Sequence, residues 1–142
     1  MRLVVVDTNI VVSGLISSDP ASPTCLLLDA MLEGKLAYLL SDELLAEYRC
    51  VLMRPKLQAL HKLDETEVDT LLTEIVANAI WRANPQVTPS QKPRDRNDAH
   101  LWALLMTDSS GILVTGDKLL LSHPPEGREV VSPTEFLSRF PL

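Results

Sequence analysis

The feature that most constrains this chain is LVVV at 3–6, followed at once by Asp7-Thr8-Asn9 and then by Ile10, Val11 and Val12. Consecutive apolar, mostly β-branched residues leave no polar face for solvent. Residues 3–6 therefore read as a short strand covered on both faces, as in a parallel sheet. A carboxylate at the end of such a strand is costly, because a buried charge loses its hydration unless it is paired or bound to a metal. Taken alone, Asp, Thr and Asn also make an ordinary turn.

The rest of the chain supplies the partners of that strand. Residues 23–33 read as a helix, with Ser22 as cap, Pro23 at its first position and Gly34 after its end. AYLL at 37–40 reads as a second strand. Ser41 caps a helix with Asp42 and Glu43 in its first turn, running to about Arg54, where Pro55 stops it. Asp64 and Glu67 form a capping box ahead of Val68, Leu71, Leu72, Ile75 and Val76 at helical spacing, a helix over 65–79. The polar stretch 83–97, with Pro85, Pro89 and Pro93, reads as a loop. Asn97 or Asp95 then caps a helix through Met106, with Leu101, Trp102 and Leu105 inward. ILV at 112–114 and EVV at 129–131 read as strands, and Ser132-Pro133-Thr134-Glu135 opens a terminal helix.

Strands alternating with helices imply an α/β domain with a mainly parallel sheet, expected to occupy 1–142 as one unit. Composition agrees: the chain is long enough for a real core, and at 46% apolar but 4% aromatic that core must be aliphatic. No membrane span or signal sequence is legible. Cys25 and Cys50 are too few for a disulfide scaffold and lack metal-ligand spacing, so both read as reduced residues in or near the core of a cytoplasmic protein. The net charge of −6 does not mark a nucleic-acid binder, yet it is also what a carboxylate-lined metal site would contribute to.

In a parallel α/β sheet, strand ends and the starts of the following helices share one edge, where ligands bind. Asp7 ends the first strand, Asp117 in LVTGD follows the strand at 112–114, Asp98 begins a helix, and Glu47 lies in the helix after the second strand. At ~1.5 Å per residue Glu47 is about 9 Å along the helix axis from Ser41, with its side chain leaning back towards that edge. Each acid alone also reads as a turn, cap or solvated residue, and for Asp95, Asp42 and Glu43 a capping role is the better reading. Together, the four make an oxygen-lined site of the kind Mg²⁺ or Mn²⁺ prefers. Such ions activate water and stabilise the leaving oxygen of a phosphodiester.

DTN after an N-terminal strand, SDELLAEYRCVLMRPKL, RDRNDAHLWAL and LVTGDKLLL, in this order, resemble the PIN domain, and more narrowly the VapC-like toxin ribonucleases of bacterial toxin–antitoxin pairs. The resemblance runs from Met1 into the terminal helix. It implies a three-layer fold and a Mg²⁺- or Mn²⁺-dependent ribonuclease site. By position, the family's acids match Asp7, Glu47, Asp98 and Asp117, with Asn9 and Thr115 in support. RDRNDAH departs from the more acidic form of that loop: Asn97 and Ala99 stand where acidic or polar residues are common, which leaves open any extra ligand there, Asp95 included.

Other readings find less. A receiver domain would need paired acids after the first strand and an Asp after a central one, and no phosphate-binding GxxxxGK[ST] exists. His61, His100 and His123 lack ligand spacing, and His100 reads as a helix-surface or site-rim residue. Lys92, Arg94, Arg96, Arg54, Lys56 and Lys118 are either solvated charge or a rim that holds RNA phosphates, with Arg94, Arg96 and Lys118 the nearest to the acids in sequence. The apolar helices 23–33 and 65–79 point to a homodimer, and the resemblance implies an antitoxin partner. The alternative function is a catalytically silent PIN-like module that binds RNA or protein.

Overall fold

The computed structural model describes residues 2–83, 85, 98–125 and 127–142. The first strand, β1 (Val4–Val6), ends at Asp7, whose extended backbone and side chain start α1 (Thr8–Ile16). The turn at 7–9 is thus a strand-to-helix elbow, and Ile10, Val11 and Val12 are helical. In α2 (Pro23–Leu32) the Ser22 hydroxyl accepts the Cys25 N–H at 3.3 Å. Just past its end Gly34 takes φ +72°, a conformation that a side chain resists.

The expected strand at 37–40 shortens to β2 (Leu39–Leu40), with Tyr38 adding one bridge. Ser41 caps α3 (Asp42–Leu52) through the Leu44 N–H. Pro55 does not lead into a loop: it is the first residue of α4 (Pro55–His61), where a missing N–H costs nothing. The capping box of α5 (Glu65–Ala77) forms as expected, Glu67 N–H to Asp64 at 2.8 Å and Asp64 N–H to Glu67 at 3.1 Å. That helix ends early, and a two-residue strand, β3 (Ile80–Trp81), follows it.

Most of the stretch 83–97 lies outside the described residues, as do the expected caps Asn97 and Asp95. Asp98 stands at the N-cap position of α6 (Ala99–Leu105). Then come β4 (Ile112–Val114), the short α7 (Lys118–Ser122), β5 (Glu129–Val131) and α8 (Pro133–Arg139).

All strand pairs are parallel. β1-β4-β5 form one sheet and β2-β3 another, and the bridge from Val4 to Tyr38 joins them in the order β3-β2-β1-β4-β5. Every residue of β1 and β4 is fully buried, so both faces are covered, as in a three-layer α/β fold. Each such side chain contributes roughly 1.5–3 kcal/mol of burial. α6 packs against β1, β2 and α3, while α1 packs against α2, α3 and α4. The core is aliphatic as expected. Its two fully buried tyrosines spend their hydroxyls on backbone carbonyls, Tyr38 on Ile75 and Tyr48 on Val6, each at 2.5 Å. Cys25 is buried, but Cys50 is exposed on α3, which corrects its assignment to the core.

Candidate functional site

The end of β1 fixes the centre of the site. Asp7 is only 6% exposed. Its Oδ1 accepts the Thr8 N–H at 2.8 Å, and its Oδ2 accepts the Thr115 hydroxyl at 2.7 Å and the Asn9 amide at 3.3 Å. Thr115 follows β4, which lies beside β1, and is itself fully buried. Its oxygen also accepts the Asp117 N–H at 3.0 Å, so the two strand ends are tied together. Asn9 completes the tie: its Oδ1 accepts the Gly116 N–H at 3.1 Å. Asp117 caps α7 by accepting the Leu119 N–H at 2.9 Å.

Glu47 arrives from α3. The Tyr48 hydroxyl donates to the Val6 carbonyl, just before Asp7, and pins that helix beside the strand end. Burial pushes the Tyr48 phenol well above its ordinary value of 10.0, so it remains a donor. One oxygen of Glu47 accepts the Thr8 hydroxyl and the other faces His100 Nε2 at 3.3 Å.

Asp7, Asn9, Glu47, Asp98 and Asp117 line one open cleft of about 350 Å³. Four acids from four distant segments thus face a common space, with Thr115 buried behind Asp7. Lys118 is exposed on α7 beside Asp117, whereas Arg94 and Arg96 lie outside the described residues. A second groove, of about 650 Å³, opens on the other side of Glu47 and carries Arg54, Cys50 and His100.

The electrostatics are uneven. Burial raises the Asp7 carboxyl above 3.8, with the Glu47 and Asp117 charges adding to the rise, while the bonds from Thr115 and Thr8 oppose it. The His100 hydrogen bond lowers the Glu47 carboxyl below 4.5, helped by Thr8 and by the Arg54 charge and opposed by burial. For His100 burial favours the neutral ring, yet the bond to Glu47 and the charges of Glu47, Glu43 and Asp7 outweigh it and raise the imidazole above 6.5. Glu47 is therefore ionised at neutral pH and paired with His100. Thr8 and His100 did not stand out in the sequence as its partners, since no spacing rule links residue 47 to residues 8 and 100.

The donor chemistry, carboxylates with one amide oxygen, fits a hard divalent cation. Among the described residues no three acidic, histidine or cysteine side chains already stand together as a ready ligand set. Asp7, Glu47, Asp98 and Asp117 are the acids lining the cleft that would hold such an ion.

Fold and site together define a class: a parallel α/β domain with a carboxylate-lined cleft where the strands end. A model of the PIN domain matches residues 3–119, most of the chain, and this protein belongs to the PIN domain family. PIN domains are generally divalent-metal-dependent nucleases, and PIN nucleases act on RNA. Among solved structures the chain is similar to the RRP44 PIN domain of T. brucei, with a TM-score of 0.57 and 14% identity over 97% of this chain and 80% of that one. At that identity the likeness concerns the fold. No curated protein matched the sequence. No helix among the described residues is long and apolar enough to cross a membrane.

Proposed function

We propose that this chain is a Mg²⁺- or Mn²⁺-dependent endoribonuclease, and that it acts as the VapC-like toxin of a toxin–antitoxin pair. The observation that carries the nuclease reading is the convergence of Asp7, Glu47, Asp98 and Asp117 on one cleft. A bound divalent cation supplies a water of lowered pKa and charge stabilisation at the leaving oxygen. The chain's own residues do the rest. Asp7, oriented by Thr115 and the Thr8 N–H, presents its carboxylate from a rigid strand end. Lys118 and Arg54 offer cations for RNA phosphates near the acids, and Arg94 and Arg96 are proposed for the same task from the sequence alone.

The toxin reading rests on the sequence motifs quoted above. With it go an antitoxin partner, a cytoplasmic setting, a single domain over 1–142 and a homodimer. Leu26 of α2 and Val76 of α5 are exposed apolar residues on those two helices. The alternative is a silent PIN-like module that binds RNA or protein without cleaving it.

Cleavage of single-stranded RNA by purified protein separates the two. Activity should need Mg²⁺ or Mn²⁺, stop with chelator and fall on the order of 100-fold or more in Asp7→Asn, since an amide is a poorer ligand for a hard cation. Metal-insensitive cleavage, or full cleavage by Asp7→Asn, contradicts the assigned site. RNA binding without cleavage favours the silent module. Growth arrest on induction, relieved by a co-expressed antitoxin, tests the toxin role.

A further inference from the structure

The geometry points to His100 as a positioning residue that holds the Glu47 carboxylate in place through its Nε2. Of the acids on the cleft, Glu47 has the longest side chain and projects from the middle of a helix, so it has the most freedom to lose. The structure holds it at both ends: the Thr8 hydroxyl donates to Oε2, and His100 Nε2 lies 3.3 Å from Oε1. These two grips come from different elements, α1 and α6, and Asp98 stands at the N-cap of α6. The orientation of one acid is thereby coupled to the elements that carry Asp7 and Asp98.

The burial of His100 supports this role. Its side chain is only 11% exposed, and its Nδ1 is buried with no hydrogen-bond partner among the described residues. A buried imidazole with an unmatched nitrogen carries a desolvation cost that calls for a reason. Glu47 supplies one, being the ring's polar contact among the described residues. Arg54 acts on Glu47 too, but from an exposed position through charge alone. Ligating carboxylates are commonly fixed by such outer hydrogen bonds.

This inference rests on the acid cleft being a divalent-cation site, and its test reads binding separately from cleavage. Calorimetric titration with Mn²⁺ compares wild type, His100→Leu and His100→Gln, whose amide can still donate to Glu47. His100→Leu should bind Mn²⁺ about 10- to 100-fold more weakly, and His100→Gln should recover most of the loss. In a Glu47→Ala background His100→Leu should add little, because the two residues act as a unit. Unchanged affinity in His100→Leu, or no recovery in His100→Gln, overturns the inference. So does an equal loss with and without Glu47. Should His100→Leu fail to fold, His100→Asn, whose shorter amide falls short of Oε1, replaces it. Wild-type protein that binds Mn²⁺ but cleaves no RNA refutes the nuclease reading while the affinities still decide the role of His100. Wild-type protein that binds no Mn²⁺ refutes both.

Discussion

Asp7 keeps a carboxylate in a nearly dry position because three donors meet it: the Thr8 N–H, the Thr115 hydroxyl and the Asn9 amide. The Thr115 hydroxyl serves three partners, donating to Asp7 and accepting from the Asp117 N–H and, at 3.4 Å, from the Asn9 amide. Thr115→Val keeps the shape but removes these hydrogen bonds inside a fully buried site. The expected cost is about 2 kcal/mol, the scale of leaving buried polar groups unpaired. Thr115→Ser keeps the hydroxyl and should lose about 1 kcal/mol for the methyl group. Because the Thr115 bond favours the ionised form of Asp7, the Val variant should lose more stability at neutral than at acidic pH. Urea unfolding at two pH values measures this. An equal loss at both would disconnect Thr115 from the Asp7 charge.

At the level of elements, α1 and α2 meet at Gly14. A Cβ there would stand 2.8 Å from the Thr24 carbonyl oxygen and 2.9 Å from the Leu28 Cβ. Gly14→Ala gains about 1 kcal/mol of helix propensity but forces the helices apart, which costs about 1–3 kcal/mol. We expect net destabilisation. Mn²⁺ binding should weaken with it, because Val12, Ser13 and Ile16 of α1 line the cleft. A raised urea midpoint in Gly14→Ala would contradict the close approach. α1 was itself hard to read: Val11 and Val12 are poor helix formers, and Asp7-Thr8-Asn9 reads as a turn until one sees Asp7 acting as a cap. α3 ends before Pro55 as the sequence predicts, but the same proline also begins α4, which a stop signal alone does not reveal. At two residues, β3 is too short to show any period. By contrast, the β1 and β4 strands, the Ser22 and Ser41 caps and the Asp64–Glu67 box were legible, since each rests on neighbours in sequence.

For the whole molecule, the acids were legible as a group because parallel topology sends strand ends to one edge, while their orienting partners, Thr8 and His100 for Glu47, are tertiary contacts that no local pattern records. The resulting charge pattern sets the pH response of the metal-free protein. Asp7 is raised above 3.8 and His100 above 6.5, so each contributes stability that is present below those values and lost as pH rises through the folded ones. Glu47 is lowered from 4.5, so its contribution is present above that value and lost as pH falls through the folded one. Melting in chelator should therefore show stability rising as pH falls from above 6.5 through the His100 range, then declining below 4.5 as Glu47 protonates. A steady fall over that range would contradict the balance. Mn²⁺, binding only the folded state, should add roughly 2.7 kcal/mol at 100-fold excess over Kd, with the gain growing as pH rises and the acids ionise. The central claim is that these acids form one divalent-cation site, and the most direct measurement is anomalous scattering from a crystal soaked in Mn²⁺. The account predicts a peak in the cleft within coordinating distance of an Asp7 carboxylate oxygen, lost in Asp7→Asn. Mn²⁺ bound elsewhere, with the cleft empty at concentrations that raise the melting temperature, would contradict it.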